Sequence, residues 1–156
     1  MNRSRLRVLA VLSILVVALS CSDLNVMTAS YATLAEARAA GAVERGEMPG
    51  GLPEGAYDIR TAHDADSPRR WGLFSFPPEG ADTLRRILQA ETISTDDQAI
   101  DAPPRIEWWP VLLRGELNHE KIAATGMQVY QGTDGSLVFG VNWKQGRAYY
   151  WTPMME

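Results

Sequence analysis

The chain has 156 residues, with fifteen basic side chains, nineteen acidic ones and a single cysteine. Arg3, Arg5 and Arg7 all lie in the first twenty residues, so the remainder holds twelve basic against nineteen acidic residues, a net charge of −7. Such a domain is repelled by phosphate backbones and anionic headgroups, which excludes nucleic acid as a natural partner. The length suits one hydrophobic core, and no internal repeat divides it.

The three arginines precede Val8 to Ser20, a run of thirteen residues without charge. This is the charged-then-apolar order of an export signal, too short for a membrane-spanning helix, which needs about 20 residues. A buried amphipathic helix would show a polar face, and this run has none. It ends at Val17-Ala18-Leu19-Ser20-Cys21, which resembles the lipobox of bacterial lipoproteins. That resemblance implies cleavage before Cys21, acylation of its thiol and a palmitate-bearing membrane anchor. The competing reading is an ordinary secretory signal cut near Ala18 or Ser20. Cys21 is the only cysteine, so no internal disulfide is available, and lipidation removes a thiol that an oxidising compartment would attack. Ser22, rather than an aspartate, follows Cys21; by resemblance this favours the periplasmic face of the outer membrane in a Gram-negative envelope. The expected organisation is a signal over 1–20, a tether over 21–30 and one α+β domain over 31–156.

Thr33-Leu34-Ala35-Glu36 is a capping box, and the alanine-rich run to Ala40 with Gly41 behind it predicts a helix. Pro49, Gly50, Gly51 and Pro53 make residues 44–55 a loop; they contain no phosphate-binding motif. Residues 56–61 read as an edge strand and Trp71 to Phe76 as a strand stopped by Pro77 and Pro78. Ala81, Leu84, Ile87 and Leu88 share a helical face, which predicts a helix over 79–91. A polar loop covers 94–104, an apolar segment 108–113, and a short helix 116–124. Strands at 127–131, 136–143 and 148–151, with glycine in both turns, form an antiparallel meander. Its apolar face needs a cover, and the 79–91 helix is the natural one. The fold class expected is α+β: a mainly antiparallel sheet packed with two or three helices.

Chemistry is sparse. His63-Asp64-Ala65-Asp66 offers an imidazole and two carboxylates, but matches no metal-loop spacing; an acidic turn explains it as well. Glu116 and His119 would share a helical face, which is two ligands and not a site. No serine stands in a nucleophile elbow or an S-x-x-K motif, and nothing calls for a cofactor or metal. Trp108-Trp109 and Tyr149-Tyr150-Trp151 are adjacent aromatics that face opposite ways on extended backbone. Either they leave an aromatic binding face with Trp108, Trp109 and Tyr150, or residues 31–60 cover the second face.

The run Tyr31-x-Thr33-x-x-x-Ala37-x-x-x-Gly41-x-x-x-Arg45-Gly46-x-x-Pro49, the stretch His63-Asp64-x-Asp66 and the strand Trp71-Gly72-x-Phe74-x-Phe76 resemble small bacterial exported proteins with a YbbD-like head domain. Trp108-Trp109-Pro110 and Tyr149-Tyr150-Trp151 add to the likeness, and Met48 departs from it where tryptophan is expected. The resemblance implies export and a compact α+β domain, and implies no activity. The functional expectation is a membrane-anchored, non-catalytic envelope module that binds an envelope protein or cell-wall glycan. An envelope hydrolase with its site near His63 is the alternative.

Overall fold

A computed structural model describes residues 25–96 and 98–154; the run read as an export signal and the expected lipidation at Cys21 lie outside them. The chain opens with β1 (Val26–Thr33), α1 (Leu34–Ala39), β2 (Tyr57–Asp64) and β3 (Arg70–Ser75). The capping box forms: Glu36 N donates to Thr33 Oγ1 at 3.2 Å, and the Glu36 carboxylate accepts from Ala32 N at 2.9 Å. A tight turn over Pro78–Gly80 leads into α2 (Ala81–Arg85), then β4 (Leu88–Thr92) and the short β5 (Ala99–Ile100). β6 (Gly115–Glu116), α3 (His119–Ala124), β7 (Gln128–Gly132), β8 (Val138–Asn142) and β9 (Arg147–Trp151) complete the chain.

Seven strands form one sheet in the order β1-β2-β3-β9-β8-β7-β4, with every pairing antiparallel. β5 and β6 make a separate two-stranded ribbon. The architecture is thus a mainly antiparallel sheet with a few short helices. β3 and β9 join its two halves, setting Trp71 opposite Trp151 and Gly72 opposite Tyr150.

Both faces of the sheet are buried. On one, Phe74, Phe139, Val141 and Tyr150 lie under Leu34, Ala37, Met48, Leu52 and Leu84. On the other, Trp71, Val129, Val138 and Trp151 lie under Ile100, Ile106, Trp109, Leu113 and Ile122. All five residues of β8 are buried, as expected of a central strand covered on both sides.

Five expectations are corrected. Residues 26–30 are not tether but most of β1, an edge strand exposed for most of its length. Their presence moves β2 from the edge to the interior of the sheet. The 79–91 helix stops at Arg85, because Leu88 pairs with Gly132 and the Ile87 carbonyl accepts from Thr133 N at 2.9 Å; pairing with β7 overrides the helical spacing. It is therefore not the sole cover of the meander, whose two faces are covered mainly by residues 34–56 and 99–127. Glu116 belongs to β6 and not to the helix of His119, whose N-cap is Asn118, with Lys121 N donating to its Oδ1 at 2.8 Å. His119 Nδ1 instead lies 3.3 Å from Thr95 Oγ1.

Candidate ligand-binding groove

The aromatics do not form the exposed face that the sequence allowed. Tyr150 is fully buried, and its hydroxyl donates to the Glu47 carbonyl at 3.0 Å. The segment that covers Tyr150 falls within residues 31–60, whereas Trp109 belongs to the layer on the opposite face. Burial pushes the Tyr150 phenol well above its ordinary range. Trp109 is 2 % exposed and donates its Nε1 hydrogen to the Leu113 carbonyl at 2.6 Å. Trp108 is half-buried and packs edge-on against Trp109. Neither Trp109 nor Tyr150 has a surface to offer a ligand.

The His63 region is different. β2 and β3 form a hairpin closed by Asp64 N donating to the Arg69 carbonyl at 2.9 Å. The Asp64 carboxylate, almost entirely buried, organises the turn: Ser67 Oγ donates to Oδ2 at 2.6 Å and Asp66 N to Oδ1 at 3.2 Å. Arg69 Nη2 stands 3.6 Å from Oδ2. The Ser67 hydroxyl, then the Asp66 amide, hold the Asp64 carboxyl below the usual carboxylate range. Asp66 itself is exposed. The acidic-turn reading thus describes Asp64 and Asp66, and among the described residues no three His, Cys, Asp or Glu side chains converge on a metal position.

Because the folded pKa of Asp64 is depressed, its stabilising effect is present above the unfolded carboxylate value of about 4 and is lost as pH falls through the folded value. Asp64→Asn is therefore expected to weaken the fold at neutral pH and to remove part of the acid sensitivity below about pH 4. Urea unfolding at pH 7 and pH 3 checks this; an equal loss at both values refutes it.

Two clefts flank this turn and share Ser67, Pro68, Arg69 and Thr152. One, of about 350 Å³, is mainly apolar, with Trp71, Pro153 and Met154 in its wall. The other, of about 340 Å³, adds Arg45, His63, Arg70 and Ser136. The first opens on the face of Trp71 and the second on the face of Arg70 and His63, so an apolar and a basic cleft adjoin at the end of the sheet. Thr152 locks β9 onto the hairpin where the clefts meet, since its N donates to the Arg70 carbonyl at 3.0 Å and its Oγ1 accepts from Arg70 N at 3.1 Å.

The basic end is held from several sides. The loop after α1 turns at Gly41 and Gly46, both at positive φ, which suits residues lacking a Cβ. Glu47 in that loop accepts from Arg45 Nε at 2.6 Å and from Tyr31 Oη at 3.4 Å. The Arg45 hydrogen bond lowers the Glu47 pKa; burial, then the charge of Glu47, raises that of Tyr31. Arg70 donates to the Gly46 carbonyl and to Ser136 Oγ, the latter at 3.4 Å. Ser136 is held in turn by Asp134, whose carboxyl is kept below its ordinary range by the Ser136 amide and hydroxyl. His63 Nδ1 is buried with no hydrogen-bond partner among the described residues.

The half-sheet that carries this hairpin spans β1 to β3. Residues 25–75 match the family model described as the YbbD head domain. The match bears out the resemblance read from the sequence and covers β1, α1, β2 and β3, including His63, Asp64 and Arg70. Trp108-Trp109 and the Tyr149–Trp151 strand lie beyond it. No curated protein and no solved structure matches the chain.

Sequence reading had singled out His63, Asp64 and Asp66 in this region. It does not single out Arg69 and Arg70 of the same hairpin as site residues, nor Arg45, Ser136 and Thr152, which arrive from three further segments. The signal that was present is Arg69-Arg70 just after Ser67-Pro68, a double cation in an acidic chain.

Proposed function

We propose that the protein is a lipid-anchored, non-catalytic binding module of the bacterial cell envelope, and that its ligand lies in the groove at the β2–β3 turn. The YbbD head domain match suggests an envelope-associated module. The three arginines, the uncharged run and Cys21 favour export and acylation, and Ser22 favours the periplasmic face of the outer membrane. The observation that carries the binding reading is the adjoining of an apolar and a basic cleft across Ser67, Pro68, Arg69 and Thr152. An envelope protein or a cell-wall component with a peptide portion suits such a groove.

The hydrolase alternative loses ground at His63. The Ser67 hydroxyl donates to Asp64, the Ser136 hydroxyl to Asp134 and the Thr152 hydroxyl to the Pro68 carbonyl. None is hydrogen-bonded to the imidazole, as a nucleophile and its base would be.

The anchor is tested by growing cells with labelled palmitate and separating membrane from soluble fractions. Wild-type protein is expected to be labelled and membrane-bound, and Cys21→Ser unlabelled, with its membrane share strongly reduced. Unlabelled wild-type protein in the soluble fraction would replace the anchor with an ordinary signal cut near Ala18 or Ser20.

A further inference from the structure

Resting on the lipid anchor proposed above, we infer that the domain stands on its membrane by the β2–β3 turn, with the apolar cleft of Trp71 and Met154 against a neutral lipid surface. The chain enters the fold at that turn. Val26, the first residue of β1, pairs with Asp64, and the Asn25 carbonyl accepts from Ala65 N at 3.0 Å. Four chain steps separate Asn25 from Cys21, a reach of at most about 14 Å. Tyr57, at the other end of β2, lies about 24 Å beyond the turn, since a strand rises about 3.4 Å per residue. The anchor therefore brings the turn end of the sheet, and not the Tyr57 end, to the headgroups.

That end carries apolar surface without a cover. Met154 is 60 % exposed and lines the apolar cleft with Trp71, Pro153 and Pro68, the last also exposed. Apolar surface left open in this way marks a contact site, and an unbranched thioether side chain adapts to an irregular boundary. The opposite end is built differently. Glu54, three residues before β2, has a side chain 81 % exposed and pairs there with Arg38 at 2.8 Å.

Charge sets the kind of lipid and the depth. A domain of net charge −7 is repelled by anionic headgroups, so zwitterionic lipid is the surface it can approach. Arg69 in the cleft wall is tied to Asp64 at 3.6 Å and to Asp101 at 2.6 Å, and the contact does not depend on its charge. Asp66, exposed at the turn, keeps the contact at headgroup depth, because a carboxylate is costly to carry into hydrocarbon. The basic cleft opens on the other face of the sheet, with Arg70 and His63, so this contact leaves it to a ligand met near the membrane surface.

The test uses the full chain, matured in cells, purified in detergent and reconstituted into phosphatidylcholine vesicles. Acylation leaves Cys21 without a free thiol, so one added cysteine carries a fluorophore: Ala65→Cys at the turn, Met154→Cys at the cleft, or Glu54→Cys at the far end. Phosphatidylcholine bearing a nitroxide on its headgroup quenches labels that lie against it. Most of the emission is expected to be lost at positions 65 and 154, and little at 54. A flexible glycine-serine insert between Ser22 and Asp23 separates reach from attraction. The quenching at 65 should survive the insert in large part, and Met154→Asp on the lengthened chain should abolish it. Position 154 is exposed, and urea unfolding checks that this variant folds as the parent does. Equal quenching at 54 and 65, loss of the signal at 65 on lengthening alone, or its persistence in Met154→Asp would overturn the inference and leave the anchor standing. Protein that does not float with the vesicles is sorted by its mass. Without an acyl group, the anchor falls and the inference with it. With one, the cleft houses the protein's own acyl chain, which overturns the inference alone.

Discussion

Gly72→Ala is expected to destabilise the fold by about 3 kcal/mol, at the upper end of what overpacking usually costs. Gly72 lies opposite Tyr150 where β3 meets β9, and the phenol ring crosses directly over it. A methyl group at Gly72 would overlap Tyr150 Cζ and Oη. Tyr150 cannot yield: it is wholly buried, its ring packs against Phe139, and its hydroxyl holds the Glu47 carbonyl of the covering loop. Displacing the ring therefore also frees a backbone acceptor in the interior, which adds its own cost of about 1–3 kcal/mol. The cause is separable from a general intolerance of alanine. In a Tyr150→Val background the space over Gly72 is empty, and alanine is a better strand residue than glycine by about 0.5–1 kcal/mol. Gly72→Ala should there become neutral or mildly stabilising. Urea unfolding of the two single variants and the double variant measures the coupling. If Gly72→Ala costs the same in both backgrounds, steric overlap with Tyr150 is not its cause.

That pair also shows what could be read from the sequence and what could not. The meander over β7, β8 and β9 was legible because Gly135 and Gly146 mark its turns, and both adopt positive φ. α1 was legible because the capping box is a local device whose bonds span four residues. β1 was not. Thr28, Ala29 and Ser30 lack the apolar alternation that signals a strand, since an edge strand exposed for most of its length needs none. β4 was hidden for the opposite reason: Leu84, Ile87 and Leu88 have helical spacing, and only pairing with β7, some forty residues on, pulls the last two into the sheet. The double-sided burial was signalled by the nearly unbroken apolar run from Leu137 to Val141, although the alternation within it suggested one face. The groove was half legible. His63 and Asp64 stood out as local chemistry, whereas Ser136 and Thr152 reach them only through the β3–β9 junction and Arg45 through the loop after α1 that Arg70 holds, contacts that no local pattern encodes.

The second large effect separates two neighbouring tryptophans. Trp109→Ala is expected to cost about 3–5 kcal/mol, the range for removing a fully buried large aromatic. Trp109 is the hub of the second covering layer, with ring centroids 6.0 Å from Trp108, 5.8 Å from Tyr149 and 6.3 Å from Trp151, all edge-to-face. Its indole also satisfies the Leu113 carbonyl, ending a segment whose other carbonyls, from Ala102 to Trp109, are gathered by Arg114. Removing the ring leaves a cavity between sheet and cover and frees that carbonyl. Trp108→Ala removes only the outer, half-buried partner of this cluster and should cost less than half as much. Trp109→Phe distinguishes the two contributions of Trp109: it keeps most of the packing and loses the N–H, for an intermediate cost of about 1–3 kcal/mol. Urea unfolding of the three variants orders them, with near-ultraviolet circular dichroism reporting on the aromatic cluster. Equal costs for Trp108→Ala and Trp109→Ala, or a Trp109→Ala cost below about 1 kcal/mol, would show that this pair does not hold the second layer to the sheet. A ligand surface on that side of the molecule would then regain its claim over the His63 groove.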